Sequence, residues 1–360
     1  MTKHLFLQSI LKEFYTLAHT LVPNNYDARR FSRDGVDRSK DFNLANHTAQ
    51  LKFFIANWEG LFTTFLLLND NESKQLFVRL ILFRLLGHLH VRIKPDVTAE
   101  TRINGLAFVK GFMSGDSDVE VLEKPANLKH FENLPFQNTN VKVDCSCGNA
   151  YNSFINKQYF LERNHIRIRP EYGDTCIDAG ACFGDTGLSF ALSVGETGKV
   201  FSFDPLPTHV AVYRHNIRQN NLEKRMQIVP YSVGSKTNNI RKVIEKDGGG
   251  SPGFNIIGKE DIVPIISIDE FIYNQKVQRV DFIKMDIEGS ELAALKGAKE
   301  TISRDRPKLA ISLYHKPEDF ILIPQYIKAE HPDYDLYIDH YTIHAEETIL
   351  YGIARSNKSK

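Results

Sequence analysis

Cysteine and tryptophan are scarce in this chain, whose 360 residues include four cysteines and one tryptophan. A small secreted domain held together by disulfides needs a much higher density of cysteine, so the composition argues against that class and favours a reducing compartment. The cysteines also lack the paired short clusters that are typical of a structural zinc site. We interpret all four as free thiols: Cys145, Cys147, Cys176 and Cys182.

An excess of charge of either sign is also missing, because 45 basic and 44 acidic residues leave a net charge of +1. Non-specific binding to nucleic acid requires a basic stripe or patch that neutralises phosphates. The charge balance therefore argues against a nucleic-acid partner.

Long uncharged hydrophobic runs are absent from the sequence as well. The longest candidate, FVRLILFRLLGHLHV at residues 77–91, contains Arg79 and Arg84. The N-terminus does not have the form of a signal peptide, since Lys12 and Glu13 interrupt its apolar run and no small-residue cleavage site follows. We expect a soluble, cytoplasmic protein, with peripheral membrane contact left open.

Apolar residues recur at helical spacing through most of the first ~100 residues, which predicts a mainly helical N-terminal region. One such series consists of Leu76, Leu80, Phe83 and Gly87, in the segment that holds the two arginines. Two interpretations are open: a basic amphipathic helix on a membrane surface, or a core-facing helix with two solvated arginines. We favour the second, because most amphipathic helices pack against a protein core.

From about Val143 onward, short β-branched runs alternate with helical runs, which predicts β-α units and a parallel sheet. Strands are predicted at TCIDAG, KVFSF, MQIVPYSV, VDFIKM and KLAISLY, and helices at DTGLSFALSV, PTHVAVYRHNIRQN and SELAALKGAKETI. Ser290 is the expected N-cap of the last helix. The final runs, YDLYIDHY and TILYGIA, have no helix between them and should pair as an antiparallel hairpin. Residues 246–254, KDGGGSPGF, are predicted to form a flexible glycine-rich loop.

A loop with two glycines joins the first of these strands to its helix, with the sequence IDAGACFGDTG at residues 177–187. Gly180 and Gly184 allow a tight turn and a close approach of the backbone to a ligand. Asp178 lies at the carboxyl end of the strand, the edge where ligands bind in open α/β sheets. Asp204 ends the next strand, where an acid accepts hydrogen bonds from ribose hydroxyls. Together these features indicate a cofactor that contains ribose.

The identity of that cofactor depends on Asp185, which follows the loop directly. The pyrophosphate of a dinucleotide needs bare amides at a helix N-terminus, and an adjacent carboxylate would repel it. S-adenosylmethionine is cationic and has no phosphate, and Asp178 could meet its ammonium group. Asp185 is equally compatible with a simple role as a helix cap. These residues favour the methyl donor and leave a dinucleotide open.

Three stretches of the sequence resemble the FkbM family of S-adenosylmethionine-dependent methyltransferases: GDTCIDAGACFGDTGLSFA, GKVFSFDPLP and VDFIKMDIEGSELAALKGA. The tail from ISLYHKPEDF onward is similar to members of that family too, so the resemblance covers roughly the last 200 residues. It implies an α/β, class I methyltransferase (Rossmann-like) fold: a seven-stranded, mostly parallel sheet with an antiparallel last strand. We therefore divide the chain into a mainly helical accessory or acceptor-side region, residues 1–130, and a methyltransferase domain, residues 131–360.

The resemblance also implies which residues bind the donor and what the acceptor is. Members of the family mostly O-methylate sugars, polyketide-type natural products or glycolipids, so it implies a methyltransferase acting on a hydroxyl of a sugar-containing acceptor, such as a glycan. Asp204 departs from the family, in which glutamate is commoner, and a slightly shifted ribose is expected. The implied donor site consists of Asp178, Gly180, Ala181, Phe183 and Gly184, with Asp204 on the ribose and Ser232 beside the adenine.

Two carboxylates follow the fourth predicted strand, in VDFIKMDIEGSEL. A strand buried on both faces accommodates charge at its end, and Asp286 and Glu288 would share a direction if the chain stayed extended. His315 follows the neighbouring strand at the same edge, and a histidine of near-neutral pKa suits removal of a hydroxyl proton. Asp286, Glu288 and His315 are therefore the candidate catalytic residues.

The role of these three residues stays open among orienting the acceptor and donor, acting as general base, and holding a divalent cation such as Mg²⁺ or Mn²⁺. Asp286 and His315 would supply two ligands for a cation, as in magnesium-dependent small-molecule O-methyltransferases. His340 and His344, after the sixth strand, are further candidates for the proton. Two other functions are also open: a donor-binding protein without catalysis, and an NAD-dependent oxidoreductase on a similar sheet.

Overall fold

The N-terminal part of the protein is mainly helical, as the sequence predicts. A computed structural model describes residues 2–27, 32–33, 36–37, 44–121, 125, 127–241 and 262–355, so the predicted glycine-rich loop at 246–254 lies outside the described residues. The N-terminal elements are α1 (Lys3–Ala18), β1 (Ser32–Arg33), β2 (Val36–Asp37), α2 (Leu44–Leu67), α3 (Asn71–Leu86) and α4 (Ala99–Lys110).

Polar caps determine where α3 and α4 begin. Asp70 accepts a hydrogen bond from the backbone N–H of Ser73 at 2.8 Å. Thr98 and Thr101 form a capping box, in which each side chain accepts from the backbone N–H of the other residue. These bonds satisfy donors that the first turn of a helix otherwise leaves unpaired.

α3 faces the protein core, which confirms the favoured interpretation of its apolar series. Leu76, Leu80 and Phe83 are buried. The expectation of two solvated arginines is wrong for Arg84, whose guanidinium lies 4.2 Å from the centre of the Phe320 ring. Burial lowers the pKa of Arg84 to about 10, and the contact with the ring face compensates part of the lost hydration. Among the described residues, no helix is both long enough and apolar enough to cross a bilayer.

Small antiparallel sheets connect the helical region to the main sheet. Residues 156–160 lead to the edge of the main sheet, where Tyr159 contacts Asp286. The connecting elements are β3 (Met113–Asp116), β4 (Lys129–Phe136), β5 (Thr139–Cys145), α5 (Cys147–Ala150), a π-helical turn at Tyr151–Ile155, β6 (Leu161–Arg163) and β7 (Ile166–Ile168).

The main sheet has seven strands in the order β10-β9-β8-β14-β15-β17-β16, and all are parallel except β17. This is the mostly parallel sheet with an antiparallel last strand that the resemblance implies. Its strands are β8 (Thr175–Ala179), β9 (Lys199–Phe203), β10 (Met226–Val229), β14 (Phe282–Met285), β15 (Lys308–Ser312), β16 (Tyr334–His340) and β17 (Thr348–Ala354). The connecting helices are α6 (Asp185–Val194), α7 (Pro207–Gln219), α8 (Ile268–Asn274), α9 (Glu291–Lys296), α10 (Lys299–Asp305) and α11 (Asp319–Glu330).

The predicted third strand, MQIVPYSV, is two strands in different sheets. β10 ends at Val229, and β11 (Ser232–Val233) pairs with β13 (Ile262–Ile266), which also pairs with β12 (Asn238–Arg241). Pro230 lies between them and has no N–H to donate to a ladder, which explains the break.

The predicted helix SELAALKGAKETI is also divided, into α9 and α10. Gly297 separates them at a point of close approach, since a Cβ there would lie 2.1 Å from the carbonyl oxygen of Gly234. Ser290 occupies the N-cap position of α9, but its side chain makes no capping bond. Glu291 instead accepts from the backbone N–H of Ile287 at 2.8 Å.

The N-terminal helices pack on the β16 edge of the main sheet and on α11. The backbone N–H of Asn69 donates to the carbonyl of Leu336 at 2.9 Å, and the Asn69 side chain accepts from the N–H of Leu336 in return. Gln325 on α11 donates to the carbonyl of Gly60 at 3.1 Å. Helices α1 to α3 thus belong to the same apolar core as β14, β15 and β16, and the division of the chain near residue 130 stays a prediction.

Candidate active site

The carboxyl ends of β8, β9, β14 and β15 lie along one edge of the main sheet, because these strands are parallel neighbours. Asp178, Asp204, Asp286 and His315 lie at or just beyond those ends. The structure therefore places the predicted donor-side acids and the predicted catalytic residues along a single edge, as expected for a ligand site in an open α/β sheet.

The loop between β8 and α6 crosses closely over the end of β14. Gly180 has φ +83°, and a Cβ on it would lie 1.8 Å from the carbonyl oxygen of Asp286. The N–H groups of Gly180 and Ala181 both donate to the carbonyl of Phe203, at 2.9 and 3.0 Å. Gly184 has φ +89° and provides the N-cap of α6. Only glycine fits at position 180, so the glycine loop and the end of β14 are held in contact.

Asp178 is engaged inside the sheet rather than free to meet a ligand. Its carboxylate is fully buried, lies 3.0 Å from Nζ of Lys284 and accepts from the hydroxyl of Ser202 at 3.1 Å. Burial would lower the pKa of Lys284, but Asp178 and Asp286 raise it above its ordinary value. The ammonium partner of Asp178 is thus a lysine of this chain, whereas the sequence suggested the ammonium of the methyl donor.

Asp204 is held at the end of β9 by three contacts. It accepts from the backbone N–H groups of Cys182 and Leu206, each at 3.0 Å, and its Oδ2 lies 3.0 Å from Nδ1 of His209. Phe183 packs beside His209, with 5.1 Å between the ring centres. The carboxylate is therefore fixed next to the glycine loop, where the predicted bond to ribose requires it.

Asp185 lies in other surroundings than the sequence suggested, whereas the place of Ser232 beside the adenine stays a prediction. The carboxylate of Asp185 is buried and accepts from Ser153 and Asn149, and burial raises its pKa. It does not cap α6, because the N-cap is Gly184 and no side chain bonds that turn. Ser232 is half-buried in the small sheet, on the first residue of β11.

Asp286 is the centre of the polar network at this edge. Its Oδ2 accepts from the hydroxyl of Tyr159 at 2.7 Å, and its Oδ1 accepts from the hydroxyl of Tyr314 at 2.9 Å. Burial alone would raise the pKa of Asp286, but Lys284, His315 and the two tyrosines lower it below its ordinary value. Asp286 is therefore an oriented carboxylate that stays ionised at neutral pH.

His315 lies among three carboxylates. Its Nδ1 is 2.9 Å from Oε1 of Glu291, and its Nε2 is 3.3 Å from Asp286 and 3.5 Å from Glu288. Burial would lower the pKa of His315, but the bond to Glu291 and the three negative charges raise it to about 9. At neutral pH His315 is therefore an imidazolium that faces carboxylates on both sides, unlike the near-neutral histidine that the sequence suggested.

Glu288 is the exposed member of this group, with 56% of its side chain accessible. Its backbone is left-handed, with φ +54°, so the chain turns at this residue and does not stay extended beyond Asp286. Burial and the charges of Asp286 and Glu291 raise its pKa, and His315 opposes them. The side chains of Asp286 and Glu288 therefore do not share a direction along an extended strand, although both approach His315.

The two later histidines are inside the terminal hairpin. Nδ1 of His340 lies 2.9 Å from the hydroxyl of Thr348 across the β16–β17 pair, and burial, Arg84 and Lys94 lower its pKa to about 3. His344 is 7% exposed. Among the described residues, the contacts of His340 do not reach the Asp286 network.

A divalent cation does not fit the donors as they are arranged. Among the described residues, one group of side chains brings its ligand atoms within 4.8 Å of one another: Asp286, Glu291 and His315. Both nitrogens of the His315 ring already face carboxylates, and an imidazolium has no lone pair to offer a metal. Glu291 is fully buried and accepts backbone N–H groups with the same oxygen. The imidazolium thus occupies the position in which a cation would balance the two acids.

Several polar residues of this edge were not found from the sequence. Glu347, before β17, accepts from the side-chain amide of Gln158, and its pKa is raised to about 7 by burial and by Asp286. Tyr159 lies outside the β-α pattern, so no sequence spacing relates it to Asp286. One signal was available for Lys284: a lysine inside a buried strand is costly unless an acid pairs with it.

Comparisons with known proteins agree with the fold. Residues 178–342 match the sequence family described as the methyltransferase FkbM domain. The structure is similar to that of the methyltransferase FkbM from Methylobacillus flagellatus KT, with a TM-score of 0.54 and 21% identity, over 83% of this chain and 59% of that one. The present chain therefore spans less than two thirds of that protein.

Other solved structures are similar over a smaller share of the fold. One is fibrillarin from Aeropyrum pernix with bound S-adenosyl-L-methionine, at a TM-score of 0.38 and 11% identity, over 63% of this chain and 89% of that one. Another is the O-methyltransferase from Bacillus cereus in complex with SAH, at a TM-score of 0.34 and 14% identity, over 50% of this chain and 74% of that one. No curated protein matches the chain.

The sheet order, the glycine loop followed by an acid on the next strand, and the family match over residues 178–342 lead to one conclusion. Residues 178–342 belong to a methyltransferase domain that is similar to the methyltransferase FkbM domain, on a class I methyltransferase fold.

Proposed function

We propose that the protein transfers a methyl group from S-adenosylmethionine to a hydroxyl of a sugar-containing acceptor. The observation that carries this proposal is the network around Asp286, where an oriented carboxylate, two tyrosine hydroxyls and an imidazolium lie at the donor edge of the sheet. Such groups can hold and polarise a hydroxyl that attacks the methyl group. A cytoplasmic location is part of the proposal, since all four cysteines are free thiols.

The residues of the chain can divide the work of the reaction as follows. When bound, S-adenosylmethionine supplies an activated methyl group and leaves as S-adenosylhomocysteine. Asp204 and the glycine loop would hold its adenosine part, and Asp286 would accept a hydrogen bond from the acceptor hydroxyl. Methyl transfer is an in-line displacement that depends chiefly on such positioning.

A polar cleft at the same edge supports a hydroxyl-rich acceptor. It has a volume of about 300 Å³ and lies where β16 ends. Because β16 is parallel to β15, its carboxyl end is on the side of the sheet that carries His315. Residues 156–160 form one wall of the cleft with Asn156, Lys157 and Phe160 and contact Asp286 through Tyr159.

The charges of the cleft favour a neutral sugar over a phosphorylated one. Its lining contains the carboxylates of Asp96, Glu162 and Asp339 and the ammonium groups of Lys94 and Lys157. Lys94 is paired with Asp339 at 2.8 Å. Carboxylates paired with amines offer acceptors and donors to sugar hydroxyls, and their near balance provides no strong attraction for an anion.

The identity of the residue that accepts the proton of the acceptor hydroxyl stays a hypothesis. His315, proposed from the sequence, would first have to lose its own proton, which its pKa of about 9 permits only in alkaline solution. A divalent cation that activates the hydroxyl through Asp286 and His315 is the alternative carried over from the sequence, although the paired side chains do not favour it.

The proposal is tested by incubating the protein with methyl-labelled S-adenosylmethionine and a panel of nucleotide sugars, neutral oligosaccharides and glycolipids. We expect label on a neutral oligosaccharide or glycolipid, undiminished by a chelator. Activity that disappears with the chelator and returns with Mg²⁺ or Mn²⁺ would establish the cation instead.

Binding measurements separate the other functions that the sequence left open. Calorimetry should detect S-adenosylmethionine and not NAD, and the reverse result would point to an oxidoreductase. Binding of the donor without release of S-adenosylhomocysteine on any acceptor of the panel would indicate a donor-binding protein without catalysis.

A further inference from the structure

Glu347 lies at the active edge although it is far from the donor motifs in the sequence. β16 ends at His340 on this edge, and residues 341–347 lead back to Thr348, the first residue of β17. The carbonyl of Thr348 accepts from the N–H of Leu313 at 2.9 Å, directly after β15. Glu347 is therefore next to the strand end that carries Tyr314 and His315.

The backbone of Glu347 is in a conformation that a glutamate rarely adopts. Its φ is +67°, in the left-handed region that favours glycine. Such a conformation is unfavourable for a residue with a side chain and persists where the surrounding structure enforces it, often at functional sites. The side chain is half-buried, so it remains within reach of a ligand at the edge.

A chain of hydrogen bonds connects Glu347 to Asp286. The amide of Gln158 donates to Oε2 of Glu347 and also lies 3.3 Å from the hydroxyl of Tyr159. That hydroxyl donates to Asp286 at 2.7 Å. The two carboxylates come from different elements and are thus linked through one amide and one hydroxyl.

The charges around Glu347 decide which group at this edge can accept a proton near neutral pH. Burial, Asp286 and Glu346 raise the pKa of Glu347, the bond from Gln158 and the charge of His315 lower it, and the balance is about 7. Asp286 is already ionised below neutrality, and His315 keeps its proton up to about pH 9. The two tyrosine hydroxyls, Tyr159 and Tyr314, both donate to Asp286 and hold their protons more strongly than usual.

We propose that Glu347 is the general base of methyl transfer and that Asp286 orients the same acceptor hydroxyl. This inference rests on the proposed O-methylation. As the hydroxyl oxygen bonds to the methyl carbon, the bond from that carbon to the sulfonium sulfur breaks, and its electron pair stays on sulfur. The hydroxyl proton passes to Oε of Glu347, and water takes it up after release of the product.

The neighbouring glutamate supplies a matched control for the kinetic test. Glu347→Gln should lower turnover by ~10²–10⁴ on the acceptor found in the panel, with donor affinity unchanged within twofold. The pH–rate profile of the wild type should have an ascending limb with a midpoint of about 7. This limb should be absent from the profile of Glu347→Gln and present in that of Glu346→Gln. Turnover within twofold of wild type with the limb intact in Glu347→Gln would overturn the proposal.

The pKa of the Glu347 carboxyl can also be measured directly, in a titration that needs no acceptor. In protein labelled with carbon-13 at the glutamate carboxyl, the resonance missing from Glu347→Gln should titrate near 7 in the presence of S-adenosylhomocysteine, compared with an ordinary value of about 4.3. An ordinary midpoint would overturn the proposal even if methyl transfer is confirmed. A midpoint near 7 without any methylated acceptor would instead place the failure in the proposed function.

Discussion

Asp286 receives hydrogen bonds from two tyrosines, one on each carboxylate oxygen. Tyr159 precedes the main sheet in the chain and Tyr314 follows β15, so the carboxylate is oriented from two sides before any ligand arrives. Lys284 and His315 keep it ionised. At the scale of a residue, the site is therefore prearranged around one acid whose direction does not depend on the acceptor.

Replacement of Asp204 tests the donor end of the site. Asp204→Ala should weaken the binding of S-adenosylmethionine by ~10- to 150-fold, because ribose hydroxyls lose a charged acceptor worth ~1.5–3 kcal/mol. Calorimetry provides the measurement. Because Asp204 also holds the N–H groups of Cys182 and Leu206, Asp204→Asn is the control that keeps one oxygen in place. Equal affinities for all three proteins would contradict the ribose assignment.

Replacement of His315 separates the two candidates for the proton. His315→Ala should shift the limb near pH 7 to higher pH, because Glu347 loses a positive neighbour that lowers its pKa. Turnover at pH 7 should fall while donor affinity stays nearly constant. If the wild-type rate instead rises with a midpoint near 9, and His315→Ala removes that limb, then His315 is the base and Glu347 is not.

The same variant has a second readout in stability. The pKa of His315 is raised in the folded protein from 6.5 to about 9, so the stabilisation from its ion pairs is complete below 6.5 and is lost as pH rises through about 9. Between pH 6.5 and about 9, the unfolding temperature of the wild type should therefore fall relative to that of His315→Ala. A parallel pH dependence in the two proteins would show that the three carboxylates do not hold the imidazolium.

At the scale of elements, the glycine loop between β8 and α6 is in close contact with the end of β14. The carbonyl of Asp286 occupies the space next to Gly180, and the N–H of Asp286 donates to Ala179 at 3.0 Å. Displacement of either segment therefore moves the other.

Gly180→Ala tests this contact. A Cβ would lie 1.8 Å from the Asp286 carbonyl oxygen, so the loop must move and S-adenosylmethionine binding should fall more than tenfold. Gly173→Ala is the matched control, because Gly173 has φ +86° but its Cβ would meet nothing closer than 3.6 Å. It should show only the cost of the left-handed backbone, ~1–2 kcal/mol, with donor binding intact. Similar donor affinities in both variants would show that the contact of Gly180 with Asp286 is not needed for donor binding.

At the scale of the whole molecule, the N-terminal helices cover the β16 edge of the sheet. Arg163 ties them to the chain that follows, since its guanidinium contacts Asp70 at 3.2 Å and donates to the carbonyl of Ile338 at 3.1 Å. Covering an edge strand in this way protects its unpaired backbone groups from association with another sheet.

Deletion of the first ~100 residues tests the proposed division of the chain. Every sequence motif predicted to bind the donor lies after Val143, so folded truncated protein should bind S-adenosylmethionine within a few-fold of wild type while losing acceptor turnover. Its unfolding midpoint should fall because Leu336 and its neighbours become exposed. A truncated protein that folds, as judged by circular dichroism, yet does not bind the donor would show that the division is wrong.

The sequence by itself determined the sheet and the position of its ligand edge. Alternating β-branched and helical runs specify β-α units, and an acid at a strand end is stable only where the strand meets solvent or a partner. For this reason Asp204, Asp286 and His315 could be placed on one edge without coordinates. The antiparallel final hairpin also followed from local pattern, because its two strands have no helix between them.

The tertiary structure decided which groups meet across that edge and what charge each carries. Tyr159, Glu291 and Glu347 come from segments whose separation along the chain says nothing about distance. The pKa of His315 depends on three carboxylates that converge only in the fold, so a residue type suited to a general base became a stable imidazolium. Side-chain pairing and burial depend on contacts across the fold and have no local signature, whereas strand and helix periods are written in neighbouring residues.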